Sequence, residues 1–190
     1  MNSSKINGFE IKENFTNCNL SQVSTEGRPI AVNEKFLAIS WRSNGEIVIV
    51  DSSKPEKIKD NLPIIKGHGN IFDLEFSPFN NRILSSCNFY SSDNSVLLWE
   101  IPENGLNENL TKELLNYKEH ITKVFFVNFN PVVQDLICSG SFSGEIHAWN
   151  LEKGKNYVKL KADDTPTLVS WNPNGSLIGV TTKKKNYEYF

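Results

Sequence analysis

The 190 residues carry 20 Lys and Arg against 22 Asp and Glu, a formal net charge of −2, with 38% apolar and 22% charged residues. This is the composition expected of a soluble globular chain with one or two ordinary cores, and it provides no chain-wide positive field for nucleic acid or an anionic membrane. The start, Met1 to Glu10, lacks the apolar stretch of a secretory signal, and no run approaches the roughly 18 apolar residues of a membrane span. The expected compartment is the cytoplasm, with no nucleic-acid partner and no membrane span. Three cysteines, Cys18, Cys87 and Cys138, are odd in number and far apart, so they are expected to be reduced, buried small hydrophobes and not a zinc or redox pair.

In chain order, Met1 to Val23 shows weak alternating patches at Phe9-Ile11 and Cys18 to Val23. Pro29 to Trp41 and Glu46 to Val50 flank Asn44-Gly45, two residues that tolerate positive φ, which predicts a hairpin. Leu62 to Ile65 supplies a further outer strand before Gly67-His68.

From Gly67 to Leu106 three short β-rich runs alternate with turn chemistry: Ile71, Leu74 and Phe76 up to Ser77-Pro78, then Ile83-Leu84, then Val96 to Trp99 up to Ile101-Pro102. Pro78 has no N–H for a central ladder, which places it just past a strand end. The pattern recurs: Val124 to Phe129 runs into Asn130-Pro131, followed by Leu136 to Ser141 and Glu145 to Asn150, and a fourth copy, counting the Pro29 to Ile65 strands as the first, starts at Leu168 to Trp171 with Asn172-Pro173 and Ser176 to Thr182. Pro78 to Trp99 is 21 residues and Pro131 to Trp149 is 18, the difference lying in the loop Asn88 to Ser92. Adding 18 to Pro173 gives 191, one past Phe190, so the fourth copy is expected to lack its outer strand.

The order Gly-His, strand, Ser-Pro, strand, Asp-x-Ser, strand, Trp-Glu resembles a WD repeat, the four-stranded blade of a β-propeller. In that family a His, a strand Ser, a turn Asp and a Trp form a buried hydrogen-bonded chain. His68, Ser85, Asp93 and Trp99 match those positions in the second copy, and His120, Ser139 and Trp149 in the third, where Ser143 replaces the Asp. Their implied role is structural, since such a network stabilises strand packing only when its members are satisfied. Trp99 to Leu106 (W-E-I-P-E-N-G-L) and Ala31 to Ile39 (A-V-N-E-K-F-L-A-I) are similar to coronins, actin-binding WD-repeat propellers, as is the Ser3-Ser4-Lys5 start.

The resemblance implies an all-β, incomplete WD-repeat propeller with about three and a half of seven blades: 1–17 an N-terminal latch strand, 18–66 blade 1, 67–117 blade 2, 118–161 blade 3 and 162–190 an incomplete blade 4. It further implies binding to actin filaments and a place in the actin cytoskeleton. The family's first strand carries arginines associated with filament contact, and Cys18 to Gln22 has neither. The alternative reading is therefore a WD-repeat scaffold that has lost actin binding and presents its loops to other proteins. Lys183, Lys184 and Lys185 form the one basic run, read either as a solvated turn or as a contact for an acidic partner. Unpaired edges near Ser176 to Phe190 and Phe9 to Val23 predict self-association or pairing with a complementary half-propeller chain.

Chemistry is not expected. His68, Ser85 and Asp93 offer triad residue types, but the Gly140 to Gly144 stretch has Phe142 where a nucleophile elbow needs Ser. No phosphate-binding glycine loop occurs, and His68, His120 and His147 have no ligand spacing in sequence, so no catalytic residue, metal or cofactor is assigned.

Overall fold

Strand alternation explains the architecture. In Val96–Glu100, Leu97 and Trp99 turn to one face, Val96 and Leu98 to the other, and all four are buried. Such a strand needs a neighbouring sheet on each side.

The computed structural model describes residues 15–18, 27–42, 44–67, 69–89, 94–184 and 187–190. Within them the first sheet holds β1 (Ile30–Val32), β2 (Phe36–Trp41), β3 (Glu46–Asp51) and β4 (Ile64–Lys66). The second holds β5 (Asn70–Phe76), β6 (Ile83–Phe89), β7 (Val96–Glu100) and β8 (Leu115–Tyr117). The third holds β9 (Val124–Phe129), β10 (Leu136–Ser141), β11 (Glu145–Asn150) and β12 (Lys155–Lys161). A three-stranded sheet follows, β13 (Pro166–Trp171), β14 (Ile178–Thr182) and β15 (Tyr187–Tyr189). Every strand pairs antiparallel with its sequence neighbour, so each sheet is a meander. This is the all-β, incomplete propeller expected from the sequence.

The sheets stack face to face. Phe36, Ala38, Ile47 and Ile65 of the first meet Leu74, Leu84, Leu97 and Trp99 of the second in one core. Val96, Leu98 and Tyr117 on the second sheet's other face join Trp149, Ile137 and Phe129 of the third, and Val169, Ile178 and Val180 of the fourth close the same cluster. Ile39, Trp41, Val48 and Ile58 cover the first sheet's outer face with Phe15 against them.

The Asn44-Gly45 hairpin forms, with φ of 98° and 79°. Gly45 also accepts the Gly67 amide at 2.8 Å, and a Cβ on it would lie 2.1 Å from the Gly69 carbonyl. Turn conformation and close approach both require glycine there.

Of the expected latch strand, 1–17, only its end is described, since residues 1–14 lie outside the described residues. Thr16 accepts the Ile58 amide at 2.9 Å, and Asn17 Nδ2 donates to the Ile58 carbonyl at 2.7 Å. This end therefore docks on the β3–β4 connection of the first sheet. Cys87 and Cys138 are buried, but Cys18 is exposed, against expectation, because it lies past this docked turn. The remainder of the Cys18 to Val23 patch lies outside the described residues.

Gly140 on β10 has a different constraint: a Cβ there would stand 1.9 Å from the Phe126 ring. Phe126 is buried edge-on to Phe125 and cannot retreat without repacking. Gly140→Ala is expected to lower stability by about 1–3 kcal/mol, the range for overpacking a filled core. A urea midpoint equal to wild type would show that the ring is not held there.

Candidate functional site

The third sheet brings its polar residues together through register. Ile137 pairs with Trp149 and Ser139 with His147, so Ser139 lies two residues along from Trp149's partner, on the same face. Trp149 Nε1–H donates to Ser139 Oγ at 2.8 Å, and His120 Nε2 lies 2.7 Å from the same oxygen. His120 comes from the connection between β8 and β9. All three side chains are buried.

The same register rule corrects the reading of the second sheet. Trp99 pairs with Leu84, so the residue two along is Ser86, and Trp99 Nε1–H donates to Ser86 Oγ at 3.0 Å. Ser85 faces the opposite way and donates to the Glu75 carbonyl at 3.0 Å. Ser85 and Ser86 are adjacent, and only the pairing register separates them: the serine that meets the tryptophan lies 13 residues before it in the second sheet and 10 before it in the third. His68 and Asp93 lie outside the described residues, as does Lys185. Lys183 and Lys184 are exposed on the turn between β14 and β15.

Ser143, at the turn position where the repeat carries Asp, places its Oγ 2.9 Å from Ser141 Oγ and donates its backbone N–H to Thr122 Oγ1. His120 Nδ1 is left buried without a partner. His147 stacks on His120 instead, with ring centroids 4.0 Å apart and planes 15° apart. The expectation that these histidines are scattered holds in sequence only, because the β8–β9 connection folds under β11. Glu145, two residues before His147 on the same face, places Oε2 3.8 Å from His147 Nε2.

Burial, reinforced by His147 and Lys159, pushes His120 down to about 3. Burial and Lys159 also lower His147, against the opposing pull of Glu145 and Glu119. Both rings bind a proton less readily when folded than when unfolded, where the ordinary histidine value is about 6.5. Their contribution to stability is therefore complete above that pH and falls as pH drops below it, for His120 down toward 3, by up to about 1.4 kcal/mol per pH unit for each proton taken up. Urea midpoints at pH 7.5 and 5.5 are expected to differ more in wild type than in His147→Gln. Parallel declines would contradict the assignment.

A second constellation was not anticipated from sequence. Asp73 and Glu75 alternate onto one face of β5 inside the otherwise apolar run Ile71 to Phe76. Asp73 takes Arg28 bidentately, with Nε to Oδ1 and Nη2 to Oδ2 both at 2.8 Å, and it accepts the Val127 amide at 3.0 Å. Glu75 accepts the Phe129 amide at 2.6 Å and Arg28 Nη1 at 3.2 Å. β9 is an edge strand, and these carboxylates satisfy its outward N–H groups. Burial works against the Arg28 charge, but Asp73 and Glu75 outweigh it and raise its pKa. Burial keeps Glu75 above the ordinary carboxylate range despite Arg28. The constellation's trace in the sequence is a pair of acids two apart within Phe72 to Phe76.

These features have known counterparts. Residues 6–57 match a family model described as "Domain of unknown function (DUF1899)", and residues 59–100 match "WD domain, G-beta repeat". The WD40 domain of a Toxoplasma gondii coronin, known from its crystal structure, superposes on 94% of the chain with a TM-score of 0.86 and 28% identity. The chain belongs to the coronin family. It is 27% identical over 168 residues to a Saccharomyces cerevisiae coronin-like protein and 35% identical over 159 residues to human Coronin-2B, each alignment covering 82% of this chain. It spans 25% and 32% of those relatives and 46% of the Toxoplasma domain, and so corresponds to the N-terminal half of a coronin propeller.

Proposed function

We propose that this coronin-family chain binds actin filaments and acts in cytoplasmic actin organisation, as a binding module and not a catalyst. The observation that carries this reading is the superposition on a coronin WD40 domain over nearly the whole chain. The blades act as a rigid frame, and the surface loops make the contacts. Lys183 and Lys184, exposed on the β14–β15 turn, are proposed as contacts for the acidic filament surface.

One observation favours the second reading, a scaffold for other proteins: Cys18 to Gln22 lacks the basic residues that the family uses toward filaments. Cosedimentation with filamentous actin separates the two. Pelleting at low salt that weakens as salt rises supports the actin reading. Lys183→Glu combined with Lys184→Glu should then weaken binding about five-fold, the sum of two exposed pairs at ~0.5 kcal/mol each. No pelleting at low salt overturns it in favour of the scaffold.

A further inference from the structure

We propose that His120, His147 and Glu145 form a binding site for one divalent transition-metal ion of the Zn²⁺ class. Each residue can offer one ligand atom, and the three atoms lie within 4.8 Å of one another. Among the described residues, eight buried side-chain nitrogens and oxygens lack a hydrogen-bond partner, and four of them belong to this cluster: His120 Nδ1, Glu145 Oε2 and both ring nitrogens of His147. Buried polar atoms are normally satisfied, and a concentration of orphans on three ligand-type side chains is what a cation would resolve.

The donor chemistry fits this ion class. Two imidazoles and a carboxylate form a set that Zn²⁺ takes with a fourth position left for water. His120 is held from behind by Ser139 at its Nε2, and Ser139 is held in turn by Trp149. A hydrogen bond on the far ring nitrogen is the usual support of a metal-bound histidine, and it leaves Nδ1 to face the ion. Lys159, whose charge acts on both histidines, is paired with Glu119 at 2.9 Å. Glu145 is partly exposed, which gives an ion a route in.

Binding requires a small rearrangement. Donors about 2.0–2.1 Å from a tetrahedral ion lie roughly 3.3 Å apart, closer than the present spread. Parallel rings also cannot both aim at one ion. His147, with neither nitrogen engaged, is the ring that must turn. The ion would then tie β11 to the β8–β9 connection, the tie that the repeat's turn carboxylate provides where it is present.

The test uses the intact chain stripped with a chelator and titrated with Zn²⁺, followed by calorimetry and thermal melting. The expected result is saturation at one ion per chain with a raised melting temperature. Glu145→Gln and His147→Gln, checked for native circular dichroism, should each weaken binding by at least about ten-fold, since even supporting residues of metal sites have effects of that size. If His147→Gln fails to fold, Glu145→Gln decides. Absence of saturable binding to wild type overturns the proposal, and so does unchanged affinity in the folded variants.

Discussion

Trp149→Ala is expected to lower the unfolding free energy by about 3–5 kcal/mol, the range for deleting a large buried ring. The indole is wholly buried and stacks on Tyr117 of the second sheet, with centroids 4.5 Å apart and planes 22° apart, so its loss opens the seam between two blades. It also removes the N–H that holds Ser139 against His120. Trp99→Ala should cost a similar amount at the seam between the first and second sheets, where Trp99 is equally buried. Trp171→Ala should cost much less, because that ring is only partly buried at the edge of the core. Urea denaturation with unchanged m-values measures all three. A Trp149→Ala midpoint within error of Trp171→Ala would contradict the packing described.

Asp73→Ala should cost about 3 kcal/mol, at the low end for breaking a buried ion pair because the Arg28 side chain is 46% exposed and can turn to water. The loss has three parts: the Arg28 guanidinium keeps only Glu75 and the Val127 carbonyl, and the Arg28 and Val127 amides are both left without the acceptor that Asp73 provides. Asp73→Asn keeps an oxygen for the Val127 amide and should cost roughly half as much, since a neutral hydrogen bond survives. Equal losses for Ala and Asn would mean that only the charge matters and the edge amide does not.

Much of the frame was legible because strand period and turn chemistry are local. Val96 to Trp99, apolar at every position, could only be a strand covered on both faces, and Asn44-Gly45 marked its hairpin by the φ values it tolerates. Registers across long loops were not legible. Ser85 and Ser86 are adjacent and chemically identical, so the choice between them rests on how the loop before β7 sets the pairing with Trp99. The His120–His147 stack joins a connection to a strand 27 residues on, and no spacing rule predicts that approach. Arg28 likewise precedes its partner Asp73 by 45 residues and meets it only after two sheets have formed. Glu145-x-His147 and Asp73-x-Glu75 are the local traces of these sites, each a pair of polar residues on one face of a buried strand.

The claim that consecutive sheets are joined as propeller blades by carboxylates on one inner strand and amides on the next is tested most directly by residue-resolved hydrogen exchange. Val127 and Phe129 point away from β10, and their amides bond only across the seam, to Asp73 and Glu75. Both amides are predicted to be protected in wild type and to lose that protection selectively in Asp73→Ala combined with Glu75→Ala, while amides within the β10–β11 pairing stay protected. Exchange of Val127 and Phe129 in wild type at the rate of unprotected surface amides would contradict this account.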